Sequence, residues 1–357
     1  MIFKLGELFC GPGGIGWAGI NSSVKSSSGE TFSVSHEWAT DYDSDTCDTY
    51  RKNICPENRQ TVFCEDIRKV NFENSKFMPV DALAFGFPCN DFSLVGEQKG
   101  MRGSYGPLYS YCVAALRKFK PKWFLAENVG GLRNSNEGQA FKTILRELKD
   151  SGYKIVPHLY KFEEYGVPQA RHRIIIIGIR QDIECDFKVP STLPFKDIDN
   201  TSRTAIETPP ISEAANNNEF TRHASQVIER LKHIKAGQNA FNADLPAELE
   251  LNVKGAKISQ IYKRLHPDKP SYTVTGSGGG GTHVYHWCEN RALTNRERAR
   301  LQTFPDEFIF CGSKESVRKQ IGMAVPPAGA KVVIDSVMKT FANIAYESID
   351  QNINLEF

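Results

Sequence analysis

An apolar run, Val80 followed by Ala82, Leu83, Ala84 and Phe85, stops abruptly at Gly86-Phe87-Pro88-Cys89. Such a run reads as a buried strand. Proline fixes the backbone just past it and supplies no donor, so the Cys89 thiol is delivered at the carboxyl edge of a sheet, where open α/β folds bind their ligands. A lone buried cysteine is ordinarily packing. Here it has company. A second apolar strand, Lys122 to Val129, ends in Glu127 and Asn128, and Gln169 to Arg173 (QARHR) leads into the strongest strand of the chain, Ile174 to Ile179.

The rest of the first half alternates between strand and helix. Lys4 to Phe9 runs into Cys10 to Gly19, where Gly11, Gly13 and Gly16 fit G-x-G-x-x-G ahead of a helix. The strand Thr31 to Ser35 is expected to end at His36, Glu37 and Trp38, and an acid about twenty residues after such a turn suits two ribose hydroxyls. By itself this half supports a nicotinamide or flavin dehydrogenase as well as a methyltransferase. A short strand at Thr61 to Phe63, helices at Leu108 to Phe119 and Gly138 to Ser151, and strands at Tyr153 to Tyr160 and Arg173 to Ile179 complete the pattern. Phe141, Ile144, Leu145 and Leu148 share one helical face and belong to the core. The alternation predicts a doubly wound, Rossmann-like α/β domain.

Near Arg180 the pattern stops. Pro190, Pro194, Pro209, Pro210, the run Asn216 to Asn218 and GSGGGG at Gly276 to Gly281 mark a second, smaller, irregular domain. The expected division is 1–182 for catalysis, 183–312 for target recognition with a hinge, and 313–357 for a return to the first domain; 357 residues suffice for one large core and a smaller one. The net charge of +2 does not announce a nucleic-acid binder. Basic residues gather at Lys99 and Arg102, at Lys254 to Arg264 and at Arg291 to Arg300, either as nucleic-acid contacts or as a solvated face. Nine cysteines without a CxxC pair, and no signal peptide, point to free thiols in a reducing cytoplasm. His283 and His286 lack a third ligand at metal-site spacing, so no metal is expected. No apolar run reaches membrane-spanning length. Ser93 to Pro107, rich in Gly, Lys and Ser, is a loop too long to be a mere connection in a compact domain.

Taken in order, Pro88-Cys89, Glu127-Asn128-Val129 and Gln169-x-Arg171-x-Arg173 resemble the cytosine-C5 DNA methyltransferase family, of the bacterial restriction-modification type. Arg291 to Phe308 and Gln320 to Pro327 resemble its ninth and tenth motifs, with Met323 where the family usually has Asn; Asn90 stands where it often has Gln. The resemblance implies that Phe9, Gly11 and Gly13 wrap the methionine part of S-adenosylmethionine. Glu37 would accept from the ribose, Trp38 would pack on adenine, and Asp66 with Ile67 would meet the adenine amino group, Pro88 and Leu108 completing the cofactor site. Asp66 reads equally as a helix N-cap.

The implied chemistry is attack of Cys89 on C6 of a flipped-out cytosine, with Glu127 at N3 and Arg173 on O2, while Arg171 and Gln169 support the loop and the DNA backbone. S-adenosylhomocysteine is the expected product. The loop from Ser93 would close over duplex DNA with Lys99 and Arg102 on phosphates, and Thr273, Val274 and Gly278 would belong to the recognition core. The expected protein is cytoplasmic, nucleoid-associated through DNA, not membrane-bound, and a monomer on DNA, with a restriction endonuclease acting separately. Three alternatives stay open: a non-catalytic binding module of this fold, an RNA-modifying branch marked by a Cys-Phe-Thr motif that this sequence lacks, and a plain linker at the glycine run.

Overall fold

The computed structural model describes residues 1–87, 108–131, 138–251, 259–279 and 281–355. In the first half the chain forms β1 (Ile2–Leu8), α1 (Gly14–Ile20), β2 (Ser23–Lys25), β3 (Thr31–Asp41), α2 (Ser44–Asn53), β4 (Val62–Cys64), β5 (Ala82–Phe85), α3 (Tyr109–Phe119), β6 (Trp123–Val129), α4 (Gln139–Asp150) and β7 (Tyr153–Lys161). There follow β8 (Gln169–Ala170), β9 (His172–Arg180), β10 (Val189–Pro190), α5 (Ser202–Glu207), α6 (Ser225–Lys232), β11 (Ser271–Tyr272), α7 (Asn295–Leu301), α8 (Lys314–Met323), α9 (Pro327–Phe341) and β12 (Ser348–Ile349).

Eight strands share one sheet in the order β2-β3-β1-β5-β6-β9-β7, with β4 also on β3. β3, β1, β5 and β6 run parallel; β9 enters antiparallel between β6 and β7. The sheet is therefore mixed. Helices cover both faces, so all four residues of β5 are buried and its side chains divide by the two-residue period of a strand. Leu83 and Phe85 join Phe124, Ala126 and the apolar faces of α3 and α4 in one cluster. On the opposite face Phe3 packs edge-on against Phe341 of α9, ring centroids 4.9 Å apart.

The chain folds into two compact units, a larger one of 1–165, 172–196 and 327–357 and a smaller one of 166–171 and 197–326. The expected boundaries at 182 and 312 thus move. After β9 the chain stays with the sheet through β10, which pairs with β12, and α8 belongs to the smaller unit, the return beginning at Pro327. Residues 314–341 are long and apolar enough to cross a membrane, but Ala324 to Pro326 break the helix and 72% of the most apolar window is buried, as in a core helix.

The smaller unit has little regular structure, and its backbone carbonyls need other partners. Buried arginines supply them. Arg264 donates to His286 O, Glu289 O and Leu231 O, and Arg296 to Asn216 O, Pro305 O and Phe308 O. These arginines come from the two stretches that composition offered as DNA-facing or solvated faces; Arg264, Arg296 and Arg298 are instead at most 3% exposed.

Candidate active site and cofactor pocket

Two of the motifs meet at one edge of the sheet, next to the end of the strand that leads to the third. Glu127 lies near the end of β6, and Arg173 enters on the antiparallel β9, whose pairing sets Arg173 opposite Val129. The Arg173 Nε lies 3.0 Å from Glu127 Oε1, with both side chains largely buried. Asn128 donates from Nδ2 to Phe87 O at 3.2 Å, so β6 holds the chain where it leaves β5. At Gly86 an added Cβ would lie 3.1 Å from Glu127 Oε2. The edge thus carries a carboxylate and a guanidinium in register, beside the strand that leads into Cys89. Cys89 itself, with Pro88, Asn90, Lys99, Arg102 and the loop from Ser93, lies outside the described residues.

The turn after β1 forms one wall of a pocket lined by Phe9, Thr40, Asp41, Tyr42, Glu65, Asp66, Ile67, Arg68 and Leu108. Phe9 sits at φ 52°, a left-handed conformation that costs a bulky residue about 1–2 kcal/mol. Gly13, at φ 98°, is where the turn needs a residue without Cβ. Asp41, the last residue of β3, accepts from Gly11 N at 3.0 Å and from Asp43 N at 3.1 Å. Asp66 does cap a short helical turn, accepting from Arg68 N, and hydrogen bonding from the Arg68 side chain pulls its carboxyl down to about 2.

Glu37 and Trp38 are not in this pocket. The pairing of β1 with β3 skips a residue: Leu5 faces His36 and Gly6 faces Trp38, so Glu37 is the extra residue of a β-bulge. Its carboxylate turns outward to Lys4, 3.4 Å away. Trp38 is fully buried beneath Gly6 against Phe77 and Phe119, with Nε1 donating to Met78 O. A buried, satisfied indole has no face left for adenine. β3 runs on past the bulge, and its true end presents Asp41 and the exposed Tyr42. Asp43, an N-cap of α2 accepting from Thr46 N, is the sequence signal that marks this end.

Behind the turn lies a polar chain that sequence reasoning missed. Tyr50 OH donates to Glu7 Oε2 at 3.0 Å, and His36 bridges Tyr50 OH and Thr61 Oγ1 at 3.2 and 2.7 Å. Burial raises the Glu7 carboxyl to about 8, against the opposing hydrogen bond from Tyr50. Burial also raises Asp41.

In the smaller unit, Gln169 and Arg171 are buried cross-links. Gln169 donates to Leu301 O and Gln302 Oε1 and accepts from Val274 N. Arg171 donates to Val274 O and Gly322 O at 3.2 and 3.1 Å. With 0% and 1% exposure, neither can serve the DNA backbone or the reacting base, and Val274, also 0% exposed, is core. Thr273 spends its hydroxyl on Ala170 O at 2.7 Å. Gly278 packs flat on Arg318: an added Cβ would sit 2.4 Å from Nε. The roles in DNA contact expected of Gln169 and Val274 and the catalytic role of Arg171 are therefore withdrawn. His286 stacks on Trp287 with ring centroids 3.9 Å apart, and among the described residues no group of three or more His, Cys, Asp or Glu is placed to hold an ion.

Known proteins resemble this chain over most of its length. The chain is 56% identical to the Type II methyltransferase M.BbvI of Brevibacillus brevis, over 100% of this chain and 96% of that one. It is 39% identical to the Type II methyltransferase M.NgoFVII of Neisseria gonorrhoeae, over 88% and 83% of the two chains. Among solved structures, the Entamoeba histolytica methyltransferase EhMeth superposes with a TM-score of 0.63 at 14% identity, covering 96% of this chain and 98% of that one, a likeness of fold. The family model for C-5 cytosine-specific DNA methylases matches residues 3–339, and the chain belongs to that family.

Proposed function

We propose that this protein transfers a methyl group from S-adenosylmethionine to C5 of a flipped-out cytosine in a specific short duplex sequence, through a covalent bond between Cys89 and C6. The observation that carries this reading is the edge where Glu127 and Arg173 stand 3.0 Å apart and Asn128 holds Phe87, two residues before Cys89 in sequence. Relatives named as Type II methyltransferases support a place in restriction-modification.

The pocket's chemistry suits this cofactor better than a dinucleotide. Carboxylates of Asp41, Glu65 and Asp66 line it, and Asp41 already accepts the Gly11 N–H at the turn where a dinucleotide would seat its pyrophosphate. Arg68 pairs with Asp66 and Lys76 with Glu65, so what disfavours a diphosphate here is Asp41, already placed on the turn's N–H. Asp41 would accept from the ribose hydroxyls and Tyr42, Ile67 and Leu108 would flank adenine. When bound, S-adenosylmethionine supplies the electrophilic methyl group.

Cytosine C5 is a poor nucleophile until a thiolate adds to C6. Cys89 attacks C6, forming the S–C6 bond, while Glu127 shares a proton with N3 as charge develops there. Arg173 holds Glu127 and donates to O2. C5 would then take the methyl group as its bond to the sulfonium breaks, leaving S-adenosylhomocysteine, and lose its proton to water, and the S–C6 bond would break to restore the ring and free Cys89. Extrusion of the base costs a few kcal/mol, which contacts with the smaller unit offset.

The test is labelled-methyl transfer to duplex DNA, with bisulfite sequencing to locate the product. Wild type should methylate cytosines in one sequence context and Cys89→Ala none. A 5-fluorocytosine duplex should trap wild type covalently through Cys89. An adduct on another cysteine, or methylation of an exocyclic nitrogen, would overturn the reading.

A further inference from the structure

In the smaller unit, five cationic or basic side chains crowd beneath the segment Thr275 to Gly279. Arg298 donates from Nη1 to Thr275 O at 3.4 Å, and its Nη2 lies 3.5 Å from His283 Nδ1. Arg318 lies against the Gly278 backbone, the His223 and His283 rings are 5.7 Å apart, and Lys314 adds its charge to the field at His283. Burial, then the charges of Arg298 and Arg318, hold the His283 imidazole down to about 4; burial, then Arg318, hold Arg298 down to about 10.

Compensating carboxylates are sparse. Glu315 is 3.9 Å from Arg318 on a side chain 85% exposed. Glu297, which faces Arg298, is committed to Arg291 at 2.8 Å and to Thr294 N, and Glu219 faces Lys314. The Nε atoms of both Arg298 and Arg318 are buried and find no hydrogen-bond partner among the described residues. The cationic members are Arg298, Arg318 and Lys314, of which Arg298 is fully buried; like charges drawn together are unfavourable in the free protein and are relieved once an anion completes the site. On the same segment as Gly278, the exposed Thr275 and Ser277 bring their hydroxyls within 2.6 Å of each other. Hydroxyls and a guanidinium are the donor set that phosphate oxygens take.

We propose that Arg318, packed against Gly278, together with the exposed Thr275 and Ser277 of the same segment, seats one backbone phosphate of the duplex, so that Gly278 serves DNA binding by leaving room for the guanidinium and not by reading a base. This rests on the DNA-methylating reading above. Gly278 must then be glycine because any side chain would displace Arg318.

The experiment measures binding of the full chain to a short duplex containing the sequence wild type methylates, across a salt series and with single phosphates replaced by neutral methylphosphonates. Arg318→Met, which keeps an apolar stem under Gly278, should weaken binding about tenfold and lower the salt slope by about one. One methylphosphonate position that weakens wild type should be silent in this variant, while S-adenosylmethionine binding stays unchanged. Arg318→Lys should retain the slope and lose part of the cost at that same position; it carries the test alone if the Met variant does not fold. A methylphosphonate profile identical to wild type in both variants would overturn the proposal, as would poly-glutamate binding that depends on Arg318 when duplex binding does not. Wild type that neither binds nor methylates duplex DNA would instead overturn the reading on which the proposal rests.

Discussion

Gly322→Ala sets two physical rules against each other. Gly322 lies inside α8, where alanine is the better helix former by about 1 kcal/mol, so propensity alone predicts a more stable protein. Packing predicts the reverse. A Cβ at this position would lie 2.0 Å from Gly276 N, 2.2 Å from Thr275 C and 2.6 Å from Gly276 Cα, all backbone atoms that cannot rotate away. The two segments must part by more than 1 Å to reach ordinary contact at 3.4 Å. One guanidinium spans the gap, since Arg171 Nη1 donates to both Gly322 O and Val274 O. Overpacking costs about 1–3 kcal/mol and a strained charged hydrogen bond about 1.5–3 kcal/mol. After the propensity gain, the net loss is roughly 2–5 kcal/mol. Urea unfolding should show it as an earlier transition, and amide exchange should quicken at 273–276 and 320–323. A variant as stable as wild type, with unchanged exchange there, would refute the close-approach argument.

The corrected cofactor pocket predicts that Asp41→Asn weakens S-adenosylmethionine binding by about 1–3 kcal/mol while Glu37→Ala changes it by less than about 0.5 kcal/mol; calorimetry on both variants decides, and equal losses would return Glu37 to the site. Trp38→Ala should lower stability by about 3–5 kcal/mol, read in a denaturant melt, as a loss of core rather than of an adenine platform. Glu7 should make stability fall as pH rises. Its folded value near 8 stands above the ordinary 4.5, so the folded state keeps a proton that the unfolded chain has lost; the stabilisation is complete below 4.5 and gone above 8. Glu7→Gln, which mimics the protonated acid, should flatten that fall, and a urea midpoint that declines equally in both proteins between pH 5 and 8 would show that another group is responsible.

The sheet and the edge where Glu127 meets Arg173 were legible because they depend on short-range patterns: apolar runs ending at Phe85 or in Glu127, and a glycine-rich turn after β1. The end of β3 was misread for a local reason. The bulge at Glu37 interrupts the alternation, so the strand looks finished at Ser35 although it pairs with β4 as far as Asp41. QARHR hid a division that only three dimensions reveal. Arg173 continues into β9 and meets Glu127, whereas Gln169 and Arg171 precede the crossing between units and are used up on backbone more than a hundred residues away. Arginine counts misled in the smaller unit because guanidinium groups there replace the hydrogen-bond ladders that an irregular chain lacks.

That last arrangement bears on how the smaller unit could be exchanged between relatives. The smaller unit is not one stretch of sequence, since 166–171 supplies Gln169 and Arg171 to partners between Val274 and Gly322. A chimera exchanging only 197–326 would plug foreign loops into the recipient's own socket. Its success would hinge on whether the incoming chain offers a carbonyl at position 322 and an N–H and a carbonyl at position 274 to the resident pair, whatever bases its loops contact. Splice points before 166 and at 327 would carry plug and socket together, at the cost of crossing the strand that also delivers Arg173.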